Sequence, residues 1–176
     1  MREFNLLDNY PKLDEPRYVA KNLRTIKERI VAGDREKDFF DGHRNFGYGG
    51  YKYDGRWKKI AKKISEEYGI NSQSSILQLN SEKGFLLKDI KDLHKDIKIQ
   101  GLETSSYAIE NTLGEVKQFI KKVDDYTFIN ESDSNFDFVM ALGVVYTYTI
   151  KDCIKVLSEI ERVGKGNSFV TLASYT

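Results

Sequence analysis

From Ser75 onward, short apolar runs alternate with amphipathic helical patterns. Five runs predict β-strands, and the two strongest are apolar nearly throughout, as strands buried on both faces of a sheet are. The runs are SILQL, IKIQGLE, a weaker KQFIKKV, FDFVMALGV and NSFVTLAS. Between them, helical periodicity predicts helices over Phe85–Leu93, from Ser105 to about Leu113, and over Ile150–Val163. This alternation predicts an α/β fold with a mostly parallel sheet and helices on both faces.

The last predicted helix has signals at both ends. Thr149 and Asp152 have the spacing of a capping box, and Gly164 suits the helix end. One apolar line runs along the helix through Ile150, Cys153, Ile154, Leu157 and Ile160. The pattern therefore predicts an amphipathic helix packed on the sheet.

Before residue 70 the chain has a helix, loop, helix pattern. Pro16 suits the first turn of a helix, Ile26 and Ile30 continue its apolar period, and Gly33 suits the residue just past its end. A second helix is predicted after Trp57, with Gly69 as its stop. Its apolar face comprises Trp57, Ile60, Ala61, Ile64 and Tyr68. We expect residues 1–70 and 71–176 to form one globular unit.

Charge and composition exclude several classes of function. Lys and Arg number 28 against 27 Asp and Glu, so no global field favours a nucleic acid or an anionic membrane. Cys153 is the sole cysteine and His43 and His94 the only histidines, so an internal disulfide and a Cys/His zinc site are excluded. The longest apolar run, FVMALGVVY, is too short to span a bilayer, and the N-terminus lacks a signal-peptide core. We expect a cytoplasmic protein without nucleic-acid or membrane partners.

Polar residues follow the first two predicted strands, where ligands bind in parallel α/β sheets. Asn80, Ser81 and Glu82 lead into Gly84 at the start of a helix, whose N–H groups favour a ligand. An ordinary strand-to-helix connection explains this loop equally well. Glu103 lies about twenty residues further on, where an acid can bind two ribose hydroxyls. Its alternative role is to stabilise the dipole of the next helix.

The ends of the third and fourth strands carry further candidates. Asp124 or Asp125 could accept a hydrogen bond from an exocyclic amine such as that of adenine, although solvated loop carboxylates explain them almost as well. Gly143 interrupts the fourth strand, and Tyr146 and Tyr148 follow with flat stacking surfaces and phenols. Aromatic core packing is the competing explanation, and it is favoured for Tyr148.

The segment FFDGHRNFGYGGYKYDGRW (Phe39–Trp57) has no regular period and is predicted to be an ordered loop. It interleaves five glycines with polar and aromatic side chains, namely Tyr48, Tyr51, Tyr53, Asp54, Arg56 and Trp57. Ordering so many side chains on a flexible backbone is entropically costly, which favours a lid over a ligand. An Ω-like loop packed on itself is the alternative.

Taken together, these segments resemble class I S-adenosylmethionine-dependent methyltransferases, especially bacterial members. The resemblance covers about residues 39–175 and rests on Phe39–Trp57, KGFLLKDI, GLETSSYAIENT and the stretch from Asn135 to Tyr175. It implies a Rossmann-like three-layer sandwich, with about five strands in the order 3-2-1-4-5 after the N-terminal helices and lid. It also implies S-adenosylmethionine as cofactor and methyl transfer by in-line attack, in which the protein mainly positions the reactants.

The resemblance also implies roles for individual residues. Glu103 corresponds to the ribose-binding acid and Asp125 to the carboxylate that receives the adenine amine. The implied cofactor-binding residues are Gln78, Asn80, Glu82, Gly84, Phe85, Glu103, Asp125, Gly143 and Tyr48. The candidate catalytic residues are Tyr146, Tyr51 and Arg56, and no metal is expected. Tyr146 stands where the family often has histidine, and a tyrosine is a poor general base at neutral pH.

Two departures from the family pattern bear on function. In the first motif, Gln78, Asn80, Ser81 and Glu82 replace the family's acid, first glycine, cysteine and alanine or glycine. Glu82 would repel the cofactor carboxylate and attract its amino group and sulfonium. The family's sixth and seventh strands have no counterpart in this sequence. We therefore expect an open sheet edge that a homodimer or a heteromeric partner covers.

Two functional hypotheses follow. The first is an active methyltransferase acting on a small-molecule or sugar-like acceptor. The second is a catalytically inactive methyltransferase-fold binding or scaffolding subunit that has lost the cofactor. Nicotinamide dinucleotide binding is disfavoured, because a single glycine in the loop gives a pyrophosphate poor access.

Overall fold

The computed structural model describes residues 5–8, 10, 11 and 24–172. The helices are α1 (Ile26–Asp34), α2 (Lys37–Asp41), α3 (Lys58–Tyr68), α4 (Phe85–Leu93), α5 (Ser106–Glu110), α6 (Gly114–Lys117) and α7 (Ile150–Val163). The strands are β1 (Ser75–Leu79), β2 (Lys98–Glu103), β3 (Ile120–Lys122), β4 (Phe138–Ala141) and β5 (Ser168–Val170). A short 3-10 helix at Val145–Thr147 follows β4. No helix in these described ranges is long and apolar enough to cross a membrane.

The five strands form one parallel sheet in the order β3-β2-β1-β4-β5, which confirms the predicted fold class and strand order. Alternate residues of β1 enter two separate cores. Ile76 packs in the core that contains Ile60 of α3 and Leu86 of α4. Leu77 packs on the other face, in the core that contains Val156 of α7. The sheet is therefore the middle of three layers.

Several element boundaries follow the predicted signals. α4 and α7 have the predicted bounds, and the Thr149 hydroxyl accepts a hydrogen bond from the backbone N–H of Asp152. α3 ends at Gly69, which adopts a left-handed conformation with φ 63°. β3 and β5 are the shortest strands, with three residues each, and the apolar run that predicted β3 was the weakest of the five.

Other predicted boundaries are wrong. Gly33 lies inside α1, which ends at Asp34 before a left-handed Arg35, and α2 covers the first residues of the predicted loop. The predicted start at Pro16 falls outside the described residues. α5 stops at Glu110, because the chain then turns so that the N–H of Leu113 can donate to the carbonyl of Lys83.

The apolar line predicted along α7 is only partly buried. Ile150, Ile154 and Leu157 are 83%, 60% and 42% exposed, respectively. The buried residues of α7 are instead Val156, Ile160 and Val163. Since Ile160 is common to both sets, the helix is rotated about its axis relative to the prediction.

The aromatic loop after α2 is anchored to the loop after β1 and to α4. Lys83 Nζ donates to Asp41 Oδ2 at 2.6 Å and to the carbonyl of Tyr51 at 2.9 Å. Further along the loop, the Tyr53 hydroxyl donates to Asp89 Oδ1 on α4. These contacts make the loop a packed wall of the molecule and not a self-contained Ω-loop.

Gly84 at the start of α4 provides the first testable prediction. Its φ is 76°, and a Cβ there would lie 2.8 Å from Val116 Cγ2 and 3.0 Å from Ile120 Cδ1. We expect Gly84→Ala to lower the free energy of unfolding by about 2–4 kcal/mol, from backbone strain plus overpacking. Gly69→Ala is the matched control, because Gly69 is also left-handed but has no atom within 4 Å of an added Cβ. Urea unfolding should show a cost of about 1 kcal/mol there; equal costs at both sites would contradict the packing argument.

Asp89 provides a prediction on pH dependence. Burial raises the pKa of its carboxyl, against the hydrogen bond from Tyr53, which lowers it. Asp89 Oδ2 also has no hydrogen-bond partner among the described residues. A carboxyl whose pKa is raised on folding contributes stability that is complete below its unfolded pKa and is lost as pH rises through its folded pKa.

We therefore expect the free energy of unfolding of the wild type, relative to Asp89→Asn, to fall as pH rises from about 3.8 toward neutrality. Taking the difference between the two proteins cancels the titration of other groups. Urea unfolding of both proteins at a series of pH values measures this difference in the free energy of unfolding. A difference that rises with pH would show that hydrogen bonding, and not burial, dominates at Asp89.

Candidate functional site

A cavity of about 780 Å³ opens beyond the carboxyl ends of β1 and β4. The strand order reverses between these two strands, and this is where ligands bind in open α/β sheets. Asn80 and Glu82 line the cavity after β1, and Gly143 lines it after β4. Arg35 and Tyr48 belong to the opposite wall. The volume lies within the range of small-molecule sites.

The loop after β1 has an unusual backbone. Asn80 and Glu82 have φ values of 58° and 53°, in the left-handed region that glycine normally occupies. Asparagine tolerates this conformation, whereas glutamate is strained there. The loop thus keeps a backbone shape suited to glycine while presenting two polar side chains to the cavity.

These side chains belong to a polar network. Arg35 Nη2 donates to Asn80 Oδ1 at 3.0 Å and to Glu82 Oε1 at 3.1 Å. The Tyr48 hydroxyl also donates to Glu82 Oε1, at 2.7 Å. Asn80 Nδ2 donates to the carbonyl of Leu142 at 2.7 Å, which ties the β1 loop to the end of β4. The side chains of Arg35 and Glu82 are only 22% and 11% exposed, so solvent screens their ion pair weakly.

Glu103, at the end of β2, lies directly behind this loop. Its side chain accepts hydrogen bonds from three backbone N–H groups, those of Glu82, Thr104 and Ser105, at 2.6–2.9 Å. The residue is 0% exposed. Burial and the nearby Glu82 carboxylate raise its pKa, against the backbone hydrogen bonds and the Arg35 charge, which lower it. Glu103 therefore lies at the predicted strand end, that of β2, but other residues separate its side chain from the cavity.

Two residues that line the cavity have a buried side-chain oxygen without a hydrogen-bond partner among the described residues. Gln78 Oε1 and Ser81 Oγ have no hydrogen bond within the described part of the chain, and both residues line the cavity. Buried polar atoms are nearly always satisfied, because leaving one unpaired costs about 1–3 kcal/mol. Gln78 and Ser81 thus each bring an unpaired buried oxygen to the residues that line the cavity.

Stacked aromatic rings complete the wall. Tyr48 stacks on Tyr51 at 4.2 Å between ring centroids, and Tyr51 stacks on Phe85 at 4.7 Å. Burial, together with Glu82, raises the pKa of both tyrosines well above the usual value. Both hydroxyls are therefore protonated at neutral pH and can donate hydrogen bonds.

The structure brings most of the sequence-predicted residues to this cavity. Its lining includes Gln78, Asn80, Glu82, Phe85, Gly143, Tyr48, Tyr51 and Tyr146. Tyr146 is 52% exposed, and its hydroxyl lies 3.2 Å from the position of an added Cβ on Gly143.

Besides Glu103, which is buried behind the β1 loop, three predicted residues lie outside the cavity lining. Asp125 is exposed and accepts hydrogen bonds from the backbone and hydroxyl of Thr127, both at 2.6 Å. Arg56 pairs with Asp54 at 2.7 Å and lines a separate, open cavity of about 660 Å³. Gly84 contacts α6 and β3 and is absent from the cavity lining.

Sequence analysis missed Arg35, the residue at the centre of the polar network. It follows a helix end and has no periodic or motif signal around it. Only folding brings it to Glu82, 47 residues further along the chain. The one signal in the sequence was Glu82 itself, an unexplained acid in the β1 loop that calls for a basic partner. It does not identify Arg35 among the basic residues of the N-terminal segment.

Comparisons with known proteins support the fold. No protein-family model matches the chain, and no curated protein matches its sequence. Among solved structures, the chain is similar to a candidate S-adenosyl-L-methionine-dependent methyltransferase from Methanococcus maripaludis. The TM-score is 0.55 and the identity 22%, over 65% of this chain and 54% of that one.

Two further solved structures are similar. A SAM-dependent methyltransferase from Aquifex aeolicus matches with a TM-score of 0.50 and 17% identity, over 68% of this chain and 71% of that one. The [4+2]-cyclase SpnF matches with a TM-score of 0.52 and 15% identity, over 61% of this chain and 41% of that one. The chain thus spans about half the length of the first of these structures. At these identities the likeness concerns the fold alone: the chain has the Rossmann-like fold of class I methyltransferases.

Proposed function

We propose that the protein is an S-adenosylmethionine-dependent methyltransferase that acts on a small-molecule or sugar-like acceptor. The observation that carries this proposal is the cavity at the β1/β4 crevice, with two unpaired buried oxygens at its wall. Similar folds in solved methyltransferases support it. The fold alone does not decide the reaction, since a cyclase also has it.

The residues around the cavity fit such a cofactor. Gln78 Oε1 and Ser81 Oγ are free to accept hydrogen bonds, and the Glu82 carboxylate favours a cationic group. Glu103 occupies the strand end where an acid binds a ribose. A carboxylate has about four lone-pair sites, so the three N–H donors that Glu103 already has leave one for a ribose hydroxyl.

S-adenosylmethionine, when bound, supplies an electrophilic methyl group on a sulfonium. The role proposed for the protein is to hold the acceptor in line with that methyl group and to exclude water. Tyr48 and Tyr51 remain protonated and would not remove a proton from the acceptor. The Tyr48 hydroxyl already donates to Glu82, so Tyr51 is the proposed hydrogen-bond donor that orients the acceptor. Tyr146, half exposed after β4, is the proposed contact for the acceptor.

The scaffolding alternative has less support. A subunit that had lost its ligand would gain stability by filling the cavity and pairing Gln78 and Ser81. The strained left-handed conformation of Glu82 would also have no purpose. Retention of all these features favours a binding site in use.

Calorimetry with S-adenosylmethionine and S-adenosylhomocysteine tests the proposal. We expect dissociation constants of roughly 1–100 μM, in the usual range for enzyme ligands. Glu103→Gln should weaken binding about tenfold or more, because it loses charge-assisted hydrogen bonds worth about 1.5–3 kcal/mol.

Glu161→Gln on the exposed face of α7 is the control and should bind like the wild type. Circular dichroism checks that Glu103→Gln is folded. If Glu103→Gln is not folded, Glu103→Asp, which keeps the charge, is used in its place. No heat from the wild type with ligand at about 1 mM would refute the proposed function.

A further inference from the structure

Arg35 occupies the cavity as a cation paired with Glu82. We propose that Arg35 and Glu82 exchange partners when the cofactor binds and together recognise its amino-acid end as a zwitterion. The ammonium group of the ligand takes the place of Arg35 on Glu82, and the released guanidinium of Arg35 pairs with the ligand carboxylate. This inference rests on the proposed function and adds the residues that select the ligand.

The existing ion pair has the geometry of a replaceable contact. Both described side-chain hydrogen bonds of Arg35 come from a single nitrogen, Nη2, which is shared between Asn80 Oδ1 and Glu82 Oε1. Strong arginine–carboxylate pairs use two nitrogens on two oxygens. An ammonium group of a ligand can therefore replace Nη2 on both oxygens without breaking a bidentate pair.

Charge explains why a cation must occupy this place. The carboxylates of Glu82 and Glu103 lie close enough for each charge to act on the other, and the Arg35 charge acts on both. Two carboxylates in a site of low exposure repel each other unless a cation neutralises them. Without a ligand this cation is Arg35. A ligand that brings its own cation makes Arg35 available for an anion.

The backbone around Arg35 restricts the exchange to its side chain. Glu36, the next residue, accepts hydrogen bonds from the N–H groups of Ser106 and Tyr107 at 3.0 and 2.9 Å. The Arg35 guanidinium also lies 4.5 Å from the centroid of the Phe39 ring, on which it can turn while keeping a cation–π contact. Rotation about the side-chain bonds is thus sufficient, and the wall of the cavity need not open.

Movement of Arg35 also bears on access to Glu103. The acid is fully buried, and the charge of Arg35, a residue of the cavity lining, acts on it. Transfer of the guanidinium to a ligand carboxylate removes it from the vicinity of Glu103. Recognition of the amino-acid end would thereby favour ribose binding at the other end.

Three ligands test recognition of the ammonium group and recognition of the carboxylate separately. S-adenosylhomocysteine carries both the ammonium and the carboxylate, decarboxylated S-adenosylmethionine lacks the carboxylate, and 5′-methylthioadenosine lacks the whole amino-acid end. Trp57 is the only tryptophan of the chain and lines the cavity. Its fluorescence therefore reports binding of all three ligands to each variant, with calorimetry as a second readout.

We expect Arg35→Gln to weaken S-adenosylhomocysteine about tenfold or more, and to leave the other two ligands within about twofold of the wild type or tighter. Arg35→Lys should weaken S-adenosylhomocysteine less than Arg35→Gln does. Glu82→Gln should weaken both ligands that carry an ammonium group and spare 5′-methylthioadenosine. Arg29→Gln on the exposed side of α1 and Glu161→Gln are the charge-matched controls and should change nothing.

The outcomes distinguish the inference from the proposed function. If the wild type binds S-adenosylhomocysteine but Arg35→Gln weakens 5′-methylthioadenosine equally, Arg35 maintains the cavity and the zwitterion inference is wrong. If the wild type binds all three ligands with equal affinity, the proposed function stands and the inference is again wrong. If the wild type binds none of them, both fail.

Discussion

Two carboxylates meet in the crevice of the sheet, and the surrounding structure must neutralise them. Glu103 is stabilised by three backbone N–H groups, one of them from Glu82. Glu82 is stabilised by Arg35 and by the hydroxyl of Tyr48. Because a buried unpaired charge is costly, this requirement fixes the positions of the β1 loop, the end of α1 and the aromatic wall relative to one another.

The same constraint gives the cavity its chemical character. A loop that would ordinarily be neutral and rich in glycine here carries a strained, negatively charged Glu82. The opposite wall supplies the compensating Arg35, and the lining tyrosines are held in their protonated form. The lining thus carries one carboxylate, that of Glu82, and three arginines, Arg24, Arg35 and Arg44, beside the tyrosine hydroxyls. Such a site suits a charged ligand with both signs on adjacent groups.

The sequence predicted the fold better than the site. Apolar runs and helix signals located all five strands and the bounds of α4 and α7, because burial on two faces and capping leave local patterns. The prediction placed the buried face of α7 on the wrong side of the helix, because the solvent-facing side also carries apolar residues. For the site, strand ends identified Asn80, Glu82 and Gly143. They could not reveal Arg35, whose role depends on a contact across 47 residues, or the separation of Asp125 and Arg56 from the cavity.

A crystal structure of the protein with S-adenosylhomocysteine tests the account most directly. The account predicts density for the ligand between the β1 loop and Gly143, with its ammonium group on Glu82 and its carboxylate on the guanidinium of Arg35. A ribose hydroxyl should lie within hydrogen-bond distance of Glu103. An intact Arg35–Glu82 pair, with no ligand in the cavity of crystals grown at saturating ligand concentration, would contradict it.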